Sequence, residues 1–311
     1  MSNLSAPHFH NEKAAFAYIE ARVWPKGVVC PKCGCTGRIS ELKGSSTRIG
    51  VKKCYDCKAQ FTVKVGTIFQ ASHIELRVWL QAMYLLCSSK KGISSNQLAR
   101  TLGITLKSAW FLSHRIRAAM ADGGLDKLGG AGGIVEVDEV FYGTDPNRAP
   151  KTKNRRSPNM NKLLTIVDRD RSVVRSFVID DLKISTIAPI LDANIARDTR
   201  LMTDEASHYK GLGWNFDEHG MVRHGAGEFV SQKDASIHTN TVENVFSVFK
   251  RGMRGTYQQC GRQHLHRYAS EFGYRHSQRQ ALGVDDRTRA DRLLAGVSGR
   301  RLTYKEVSGH A

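Results

Sequence analysis

The spacing of apolar residues changes part-way along the chain. In the first half, apolar positions recur every three or four residues in "NEKAAFAYIEARV" (residues 11–23) and "IELRVWLQAMYLLC" (residues 74–87), which predicts helices. After residue 132, short β-branched runs end at charged or glycine turns and predict strands at 133–143, 162–170 and 172–180. A helical pattern at 184–196, a strand pattern at 199–204 and helical patterns around 239–253 and 263–278 follow.

This order of elements predicts a mixed α/β fold with more than one domain. Three strands in series, then a helix, a strand and more helices, are typical of a sheet covered by helices. A chain of 311 residues is too long for one small core, and the glycine-rich stretch "DGGLDKLGGAGG" indicates a boundary. We therefore expect a first domain at 11–70, a helical region at 71–121, a linker at 122–133, an α/β domain at 134–280 and a basic tail at 281–311.

The charge balance indicates a polyanionic partner. Lys and Arg number 47 against 29 Asp and Glu, a formal charge of +18. Nucleic acid is favoured over a membrane surface, because no apolar run approaches the roughly 18 residues needed to span a bilayer. The first residues lack the basic and apolar regions of a secretory signal. These features favour a cytoplasmic bacterial protein associated with the nucleoid.

Four of the seven cysteines form two pairs with metal-ligand spacing. Two residues separate Cys30 from Cys33, and two separate Cys54 from Cys57. Each pair can present two thiolates to one tetrahedral ion, as in a four-cysteine zinc ribbon. Cys35 could compete with Cys33, although the symmetry of the two pairs favours Cys33. Because four thiolates fill the coordination sphere of Zn²⁺, we expect a structural site.

The segment "SSNQLARTLGITLKSAWFLSHRIRAAM" (residues 94–120) predicts two helices around a Gly-Ile-Thr turn. Ser94 or Ser95 could cap the first helix and Thr105 the second. In a chain this basic, we interpret the pair as a helix-turn-helix that binds DNA, with an ordinary helical hairpin as the alternative. The basic residues expected to face a groove or phosphates are Lys107, Arg115 and Arg117.

Three acids stand out in the second half of the chain. Asp138 lies inside the apolar strand "IVEVDEVF", Asp204 ends "TRLMTD", and Glu243 begins the helical "ENVFSVFKRG". A buried carboxylate needs a basic partner, a helix N-terminus or a metal ion. In a basic chain, acids from two strands and a helix suggest a two-Mg²⁺ site for phosphoryl transfer, with Mn²⁺ as the alternative ion. Lys250, two helical turns after Glu243, could contact a phosphate; surface ion pairs are the alternative for the acids.

Several segments together resemble one family of DNA-rearranging enzymes. The run "HTNTVENVFSVFKRGMRGTYQQCGRQHLHRYASEFGYRHSQR" (residues 238–279) resembles the C-terminal signature of DDE transposases of insertion-sequence family 1595, also called ISXO-like. "VEVDEVFYG" and "TDEASHYKGLG" resemble the segments that carry that family's first and second aspartates. A zinc ribbon and a helical DNA-binding region precede these segments in the family. The resemblance covers roughly residues 12–280.

The resemblance implies a ribonuclease-H-like fold for the α/β domain. It implies Asp138, Asp204 and Glu243 as Mg²⁺ ligands and Lys250 as the basic residue that follows them. It also implies a DDE-type transposase. Such an enzyme binds the terminal inverted repeats of its element, cleaves DNA strands and transfers the freed 3′-hydroxyls to target DNA. Pairing two ends implies a homodimer or higher oligomer.

Neighbouring acids leave the choice of metal ligands open. Glu205 follows Asp204 where the family often has Gly, and Glu136 and Glu139 flank Asp138. Because side chains alternate along a strand, Glu136 shares a face with Asp138 and Glu139 does not, which makes Glu136 the stronger alternative. A second departure lies shortly after Glu243. The family commonly has an aromatic residue there, often Trp, where this chain has Val245 and Phe246.

Further basic residues extend the expected DNA-binding surface. The loop 151–162 contains Arg155 and Arg156, and Arg251 and Arg254 lie close to Lys250. Contacts of such residues with phosphates would make binding strongly salt-dependent. The alternatives to an active transposase are a zinc-ribbon regulator without catalysis, a decayed transposase and a nuclease that cuts DNA without joining it.

Overall fold

In the computed structural model, which describes residues 3–124, 126–144 and 160–308, the chain divides into two units. The first contains Met1–Met120 and Gln280–Ala311, and the second contains Ala121–Arg279. The division falls at the start of the glycine-rich stretch expected to be a linker. Leu128 within that stretch is 1% exposed and belongs to the core of the second unit. The stretch is therefore partly built into the α/β fold.

The first unit begins with a helix and a small sheet. Helix α1 (Glu12–Val23) is capped by Asn11, whose side chain accepts a hydrogen bond from the Ala14 N–H. Strands β1 (Ile39–Glu41), β2 (Lys52–Cys54) and β3 (Gln60–Phe61) form an antiparallel sheet in the order β1-β2-β3. Cys30, Cys54 and Phe61 form the buried apolar cluster of this region. The cysteine pairs therefore lie within a ribbon of short strands.

Three helices follow, and the last two have the expected helix-turn-helix form. They are α2 (Leu76–Ser88), α3 (Ser95–Leu102) and α4 (Leu106–Met120). The side chain of Ser94 caps α3, and Thr105 Oγ1 accepts the Ser108 N–H at 3.2 Å at the start of α4. Gly103 ends α3 with a φ of 65°, a left-handed conformation that favours glycine.

The second unit is built on a five-stranded mixed sheet. Its strands are β4 (Ile134–Thr144), β5 (Met160–Asp168), β6 (Val173–Ile179), β7 (Arg200–Thr203) and β8 (Glu218–Met221), in the order β6-β5-β4-β7-β8. Strands β4, β5 and β6 pair antiparallel, whereas β4, β7 and β8 pair parallel. A meander extended by two parallel strands is the topology of a ribonuclease-H-like domain, so the expected fold class is confirmed.

Helices cover both faces of this sheet. They are α5 (Ile184–Asn194), the short α6 (Ser207–Lys210), α7 (Asn240–Gly252) and α8 (Arg262–Ser277). Val135 and Val137 of β4 belong to the core under α5, and Val140 belongs to the core under α7 and α8. Because side chains alternate along β4, Glu136 and Asp138 face the α7 side and Glu139 faces the opposite side.

The residues expected to form a basic tail instead fold into the first unit. Helix α9 (Asp286–Ala295) packs against α1 and α2, and α10 (Tyr304–Ser308) follows it. Leu293 and Leu294 are each 1% exposed. Asp291 accepts hydrogen bonds from Tyr18 and Arg22 of α1. Polar contacts of Asp291 thus help to hold α9 against α1, and the sparse apolar pattern of α9 does not predict them.

Across the described ranges, no helix combines the length and the apolar character that crossing a bilayer requires.

Candidate functional site

Asp138 lies on β4, and Asp204 directly follows β7, the parallel neighbour of β4. The register of β4 and β7 pairs Ile134 with Arg200 and Glu136 with Met202. The same offset, continued two residues beyond the paired register, would align Asp204 with Asp138. Adjacent strands are about 4.8 Å apart. The sheet therefore brings together two acids that are 66 positions apart in the sequence.

Glu243 reaches the same site from the first turn of α7. The charge of the Glu243 carboxylate contributes to raising the pKa of Asp138, after the larger effect of burial. The apolar stripe of α7, which includes Val242, Val245 and Phe246, is buried against the sheet. This packing places Glu243 at the edge of the buried stripe.

Ionisation of the two aspartates is disfavoured by burial and by the neighbouring acids. Burial raises the pKa of the Asp138 carboxyl to about 8, and the charges of Glu139, Asp204 and Glu243 act in the same direction. Burial also raises the pKa of Asp204. Among the residues that the structure describes, neither aspartate forms an ion pair with a lysine or arginine. Carboxylate oxygens of this kind are the donors that suit Mg²⁺ or Mn²⁺.

The acids are more widely spread than the cysteines of the ribbon. Within the described parts of the chain, the sets of three or more metal-ligating groups with all donor atoms within 4.8 Å of one another both lie in the ribbon. The acidic cluster is not such a set. A site shared by two ions about 4 Å apart requires less contact among its carboxylates than a single tetrahedral ion does.

Glu136 is engaged elsewhere and does not face the site as an open carboxylate. It has no exposed surface. Its Oε2 accepts the Val242 N–H of α7 at 2.7 Å, and its Oε1 accepts Arg169 Nε at 2.5 Å. His238 Nδ1 lies 3.3 Å from the same Oε1. Strand alternation makes Glu136 the stronger alternative ligand, but both of its carboxylate oxygens accept hydrogen bonds from protein donors.

Glu139 and Glu205 are also held by protein donors. Glu139 Oε1 accepts the hydroxyl of Tyr209 and lies 2.9 Å from His208 Nε2. Both partners belong to α6, the helix that follows Asp204. Glu205 Oε1 accepts the Gly225 N–H at 2.8 Å. These acids connect the strands of the two aspartates to neighbouring segments.

Two residues that the sequence patterns do not single out contact Glu243. His224 Nε2 lies 3.1 Å and Thr239 Oγ1 3.2 Å from Glu243 Oε1. His224 and Thr239 also lie 3.1 Å from each other. The sequence offers one signal for this contact, namely that Thr239 directly precedes the helix that carries Glu243.

The basic residues of α7 and the turn after it face solvent. Lys250, Arg251 and Arg254 are exposed. Arg251 donates to the backbone oxygen and the hydroxyl of Ser247 one turn earlier. These side chains are available to a phosphate backbone. Arg155 and Arg156 lie outside the described residues.

In the helix-turn-helix, the three residues expected to contact DNA differ in their exposure to solvent. Lys107 is exposed, but Arg115 is 3% exposed and Arg117 has no exposed surface. Arg115 Nη2 donates to the Gln70 carbonyl at 2.5 Å, and Arg117 Nη1 donates to Ser113 Oγ at 2.9 Å. Assigning Arg115 and Arg117 to a DNA groove is therefore wrong for this conformation, because α4 is enclosed by its own unit on those sides.

The four expected zinc ligands come together in the ribbon. The Sγ atoms of Cys30 and Cys57 are 3.6 Å apart, those of Cys33 and Cys54 are 3.7 Å apart, and all four lie within 4.8 Å of one another. A tetrahedron with Zn–S bonds of about 2.3 Å has edges of about 3.8 Å, so the spacing fits Zn²⁺. Cys35 belongs to a second group, with Cys54 and Asp56.

The fold and the site together define a class of protein. A ribonuclease-H-like sheet that places two aspartates on adjacent parallel strands, with a glutamate on a covering helix, is the framework of DDE nucleotidyl transferases. Comparison with known proteins agrees with this class. Residues 130–277 match the family of the ISXO2-like transposase domain, and residues 10–60 match the transposase zinc-ribbon domain. Together the matches cover well over half of the chain, which belongs to the insertion-sequence 1595 family of transposases.

Two further likenesses complete the comparison. A Halobacterium salinarum protein described as "Uncharacterized protein in transposable element ISH50" is 26% identical over 258 residues, which are 78% of this chain and 83% of that protein. A solved structure of the simian T-cell lymphotropic virus intasome with PP2A regulatory subunit B56 gamma matches 63% of this chain and 65% of its own, at 10% identity and a TM-score of 0.28. The second likeness is too weak to support an argument.

Proposed function

We propose that this protein binds the terminal inverted repeats of its insertion sequence, cleaves DNA at those ends and joins the freed 3′-hydroxyls to target DNA. The observation that carries the proposal is the placement of Asp138 beside Asp204, with Glu243 close by and no lysine or arginine paired to either aspartate among the described residues. Cleavage and joining are both in-line attacks on a phosphodiester. One acidic site can therefore serve both reactions.

Asp138, Asp204 and Glu243 are the residues that would hold Mg²⁺, or Mn²⁺ in its place. The ion would activate the attacking hydroxyl and stabilise the leaving oxygen. The protein's own contribution is to hold three carboxylates in a fixed arrangement before DNA arrives. Lys250, exposed two turns along α7 from Glu243, contributes a positive charge for a phosphate next to the scissile one.

The first unit supplies recognition in this proposal. Zn²⁺ held by the four cysteines fixes the ribbon, and the exposed Lys107 on α4 contacts DNA. The charge of +18 over the whole chain supports a large electrostatic component of binding. Two DNA ends have to be held together for joining, so the working form is a homodimer or a higher assembly.

The test uses the purified full-length protein and linear duplex DNA that contains the segments flanking its gene. Specific binding and Mg²⁺-dependent cleavage at both flanks are expected. Asp204→Asn should lower the cleavage rate by at least about 1000-fold, because it removes one charged ligand while keeping the size of the side chain. Binding, measured by gel shift at the same salt concentration, should stay within about twofold.

Asp217→Asn is the matched control. Asp217 is an exposed aspartate of the same unit that precedes β8, and its replacement should leave cleavage unchanged. Specific binding without cleavage at any divalent ion would instead support a non-catalytic regulator. Cleavage without any joined product would support a nuclease that lacks strand transfer.

A further inference from the structure

Glu136 is a fully buried carboxylate on the strand that carries Asp138. It lies two positions before that aspartate on the strand, so both side chains face α7. A buried carboxylate without function is an expensive feature, because removing its charge from water costs several kcal/mol before its partners offset the loss. An apolar residue would fill the same volume at no such cost. The contacts of Glu136 therefore require an explanation.

The first contact is with the beginning of α7. This helix starts at Asn240, and the side chain of its N-cap residue, Thr239, makes no capping hydrogen bond to the helix backbone. The first N–H groups of a helix have no partners within the helix. Glu136 Oε2 accepts one of them, the Val242 N–H, at 2.7 Å. A residue 106 positions earlier in the chain thus caps α7, and its negative charge suits the positive end of the helix.

The second contact fixes the segment that leads into α7. Glu136 Oε1 accepts Arg169 Nε, and Arg169 donates onward to the Ser236 and His238 carbonyls, both at 2.6 Å. The guanidinium is therefore held by a strand carboxylate on one side and by the entering backbone on the other. Planar, multiply bonded arginine contacts of this kind restrict both distance and angle.

We propose that Glu136 is a positioning residue that sets the separation of Asp138 and Glu243. The proposal rests on the proposed function, in which these two acids hold a divalent ion. Glu136 lies two residues from Asp138, and the N–H that it binds belongs to the residue directly before Glu243. The backbone between each candidate ligand and the Glu136 carboxylate is thus only one or two residues long. Both oxygens of Glu136 are occupied by protein donors, so its role is to hold the site and not to bind the metal.

The test compares Glu136→Gln and Arg169→Lys with a matched control. Gln keeps the size of Glu136 but loses the charge and cannot accept at both positions. Lys keeps the charge of Arg169, but its three donors lie on one nitrogen and cannot span the acceptors that Nε, Nη1 and Nη2 of Arg169 reach separately. The control is Glu271→Gln on α8, since Glu271 is equally buried and also paired with an arginine, Arg275. In the hydrogen bonds and ion pairs described, neither Glu271 nor its partner Arg275 contacts the first turn of α7.

Two readouts are measured on zinc-loaded protein. The first is amide hydrogen exchange of peptides that contain residues 240–246, which reports the capping of α7. The second is Mn²⁺ binding by calorimetry, with Asp138→Asn used to define the component that belongs to the acidic site. Loss of a residue that orients metal ligands typically weakens metal binding 10- to 100-fold. We expect Glu136→Gln to weaken the Asp138-dependent binding about 10-fold and to speed exchange at the start of α7.

Each outcome decides the matter. Weaker Mn²⁺ binding and faster local exchange in both test variants, with neither change in Glu271→Gln, support positioning. Faster exchange with unchanged Mn²⁺ affinity, or equal losses in the control, would reduce Glu136 to a stabilising residue and overturn the inference. Unchanged exchange would remove the capping role itself. If the unmodified protein shows no Asp138-dependent Mn²⁺ binding, the proposed function fails first, and the positioning role fails with it whatever the exchange shows.

Discussion

The hydroxyl of Tyr209 provides a sensitive test of how α6 is held against β4. Tyr209 has no exposed surface, and its hydroxyl donates to Glu139, whose side chain is 6% exposed. Burial and the Glu139 charge both raise the pKa of Tyr209 well above its ordinary value, so the hydroxyl remains a donor at all working pH values. Tyr209→Phe removes this donor and leaves the ring in place.

The cost follows from the charge and burial of the acceptor. A hydrogen bond to a charged group contributes about 1.5–3 kcal/mol to stability, and the larger values apply where the acceptor cannot turn to water. His208 Nε2, 2.9 Å from the same oxygen, remains as a partner and limits the loss. We therefore expect Tyr209→Phe to lower the free energy of unfolding by about 2 kcal/mol. In a double-mutant cycle with Glu139→Gln, the coupling energy should be about 1.5 kcal/mol.

The assay is urea unfolding of zinc-saturated protein, followed by circular dichroism. Tyr142→Phe is the matched control, because the Tyr142 hydroxyl donates over 3.5 Å to the uncharged Gln258 carbonyl. Its cost should stay below about 0.5 kcal/mol. A coupling energy near zero between Tyr209 and Glu139, or equal costs for the two tyrosines, would refute the argument that a buried charged hydrogen bond joins α6 to β4.

Two further predictions concern zinc and acid stability. Cys54→Ser should abolish stoichiometric zinc binding, whereas Cys35→Ser should retain it, because Cys35 lies outside the four-sulfur group. Native mass spectrometry measures the zinc content of both variants. Zinc loss in both would contradict the assignment. Burial lowers the pKa of His276 to about 4, and the charge of Arg279 acts in the same direction. The folded state therefore favours neutral His276, so the associated stability is complete above pH 6.5 and is lost as the pH falls from 6.5 to 4. Between pH 7 and 5.5, the free energy of unfolding should fall by about 1 kcal/mol because of this group. Unfolding measurements at the two pH values should show that His276→Gln removes this part of the fall. An unchanged fall in the variant would contradict the prediction.

The sequence predicts most elements of the second unit because their apolar patterns are strong, but it does not predict α6 (Ser207–Lys210) or β8 (Glu218–Met221), which are short and mostly polar. The run at 163–167 in β5 is almost continuously apolar, which is typical of strands covered on both faces. The two cysteine pairs are equally informative, since their spacing alone brings four sulfurs to one ion. Local pattern and final structure agree where a single periodicity determines which side is buried.

The sequence misleads where polar groups are buried by polar partners. Arg115 and Arg117 look like solvent-facing residues of a recognition helix, but packing inside the first unit encloses both. Helix α9 looks like part of a basic tail because its contacts with α1 run through Asp291 and not through an apolar stripe. Such pairings join residues about 270 positions apart, and neither periodicity nor composition reports them.

The same limitation applies to the acids around the candidate site, and it explains how their roles divide. Strand alternation separates Glu139 from Asp138 but cannot separate Glu136, which shares the face of Asp138. The contacts make the separation: Glu136, Glu139 and Glu205 each accept hydrogen bonds from a different segment of the second unit. By contrast, the hydrogen bonds described for the carboxylates of Asp138 and Asp204 come only from backbone N–H groups one or two residues ahead. Acids that join segments are occupied by protein, and the two aspartates between them keep oxygen atoms available for a cation.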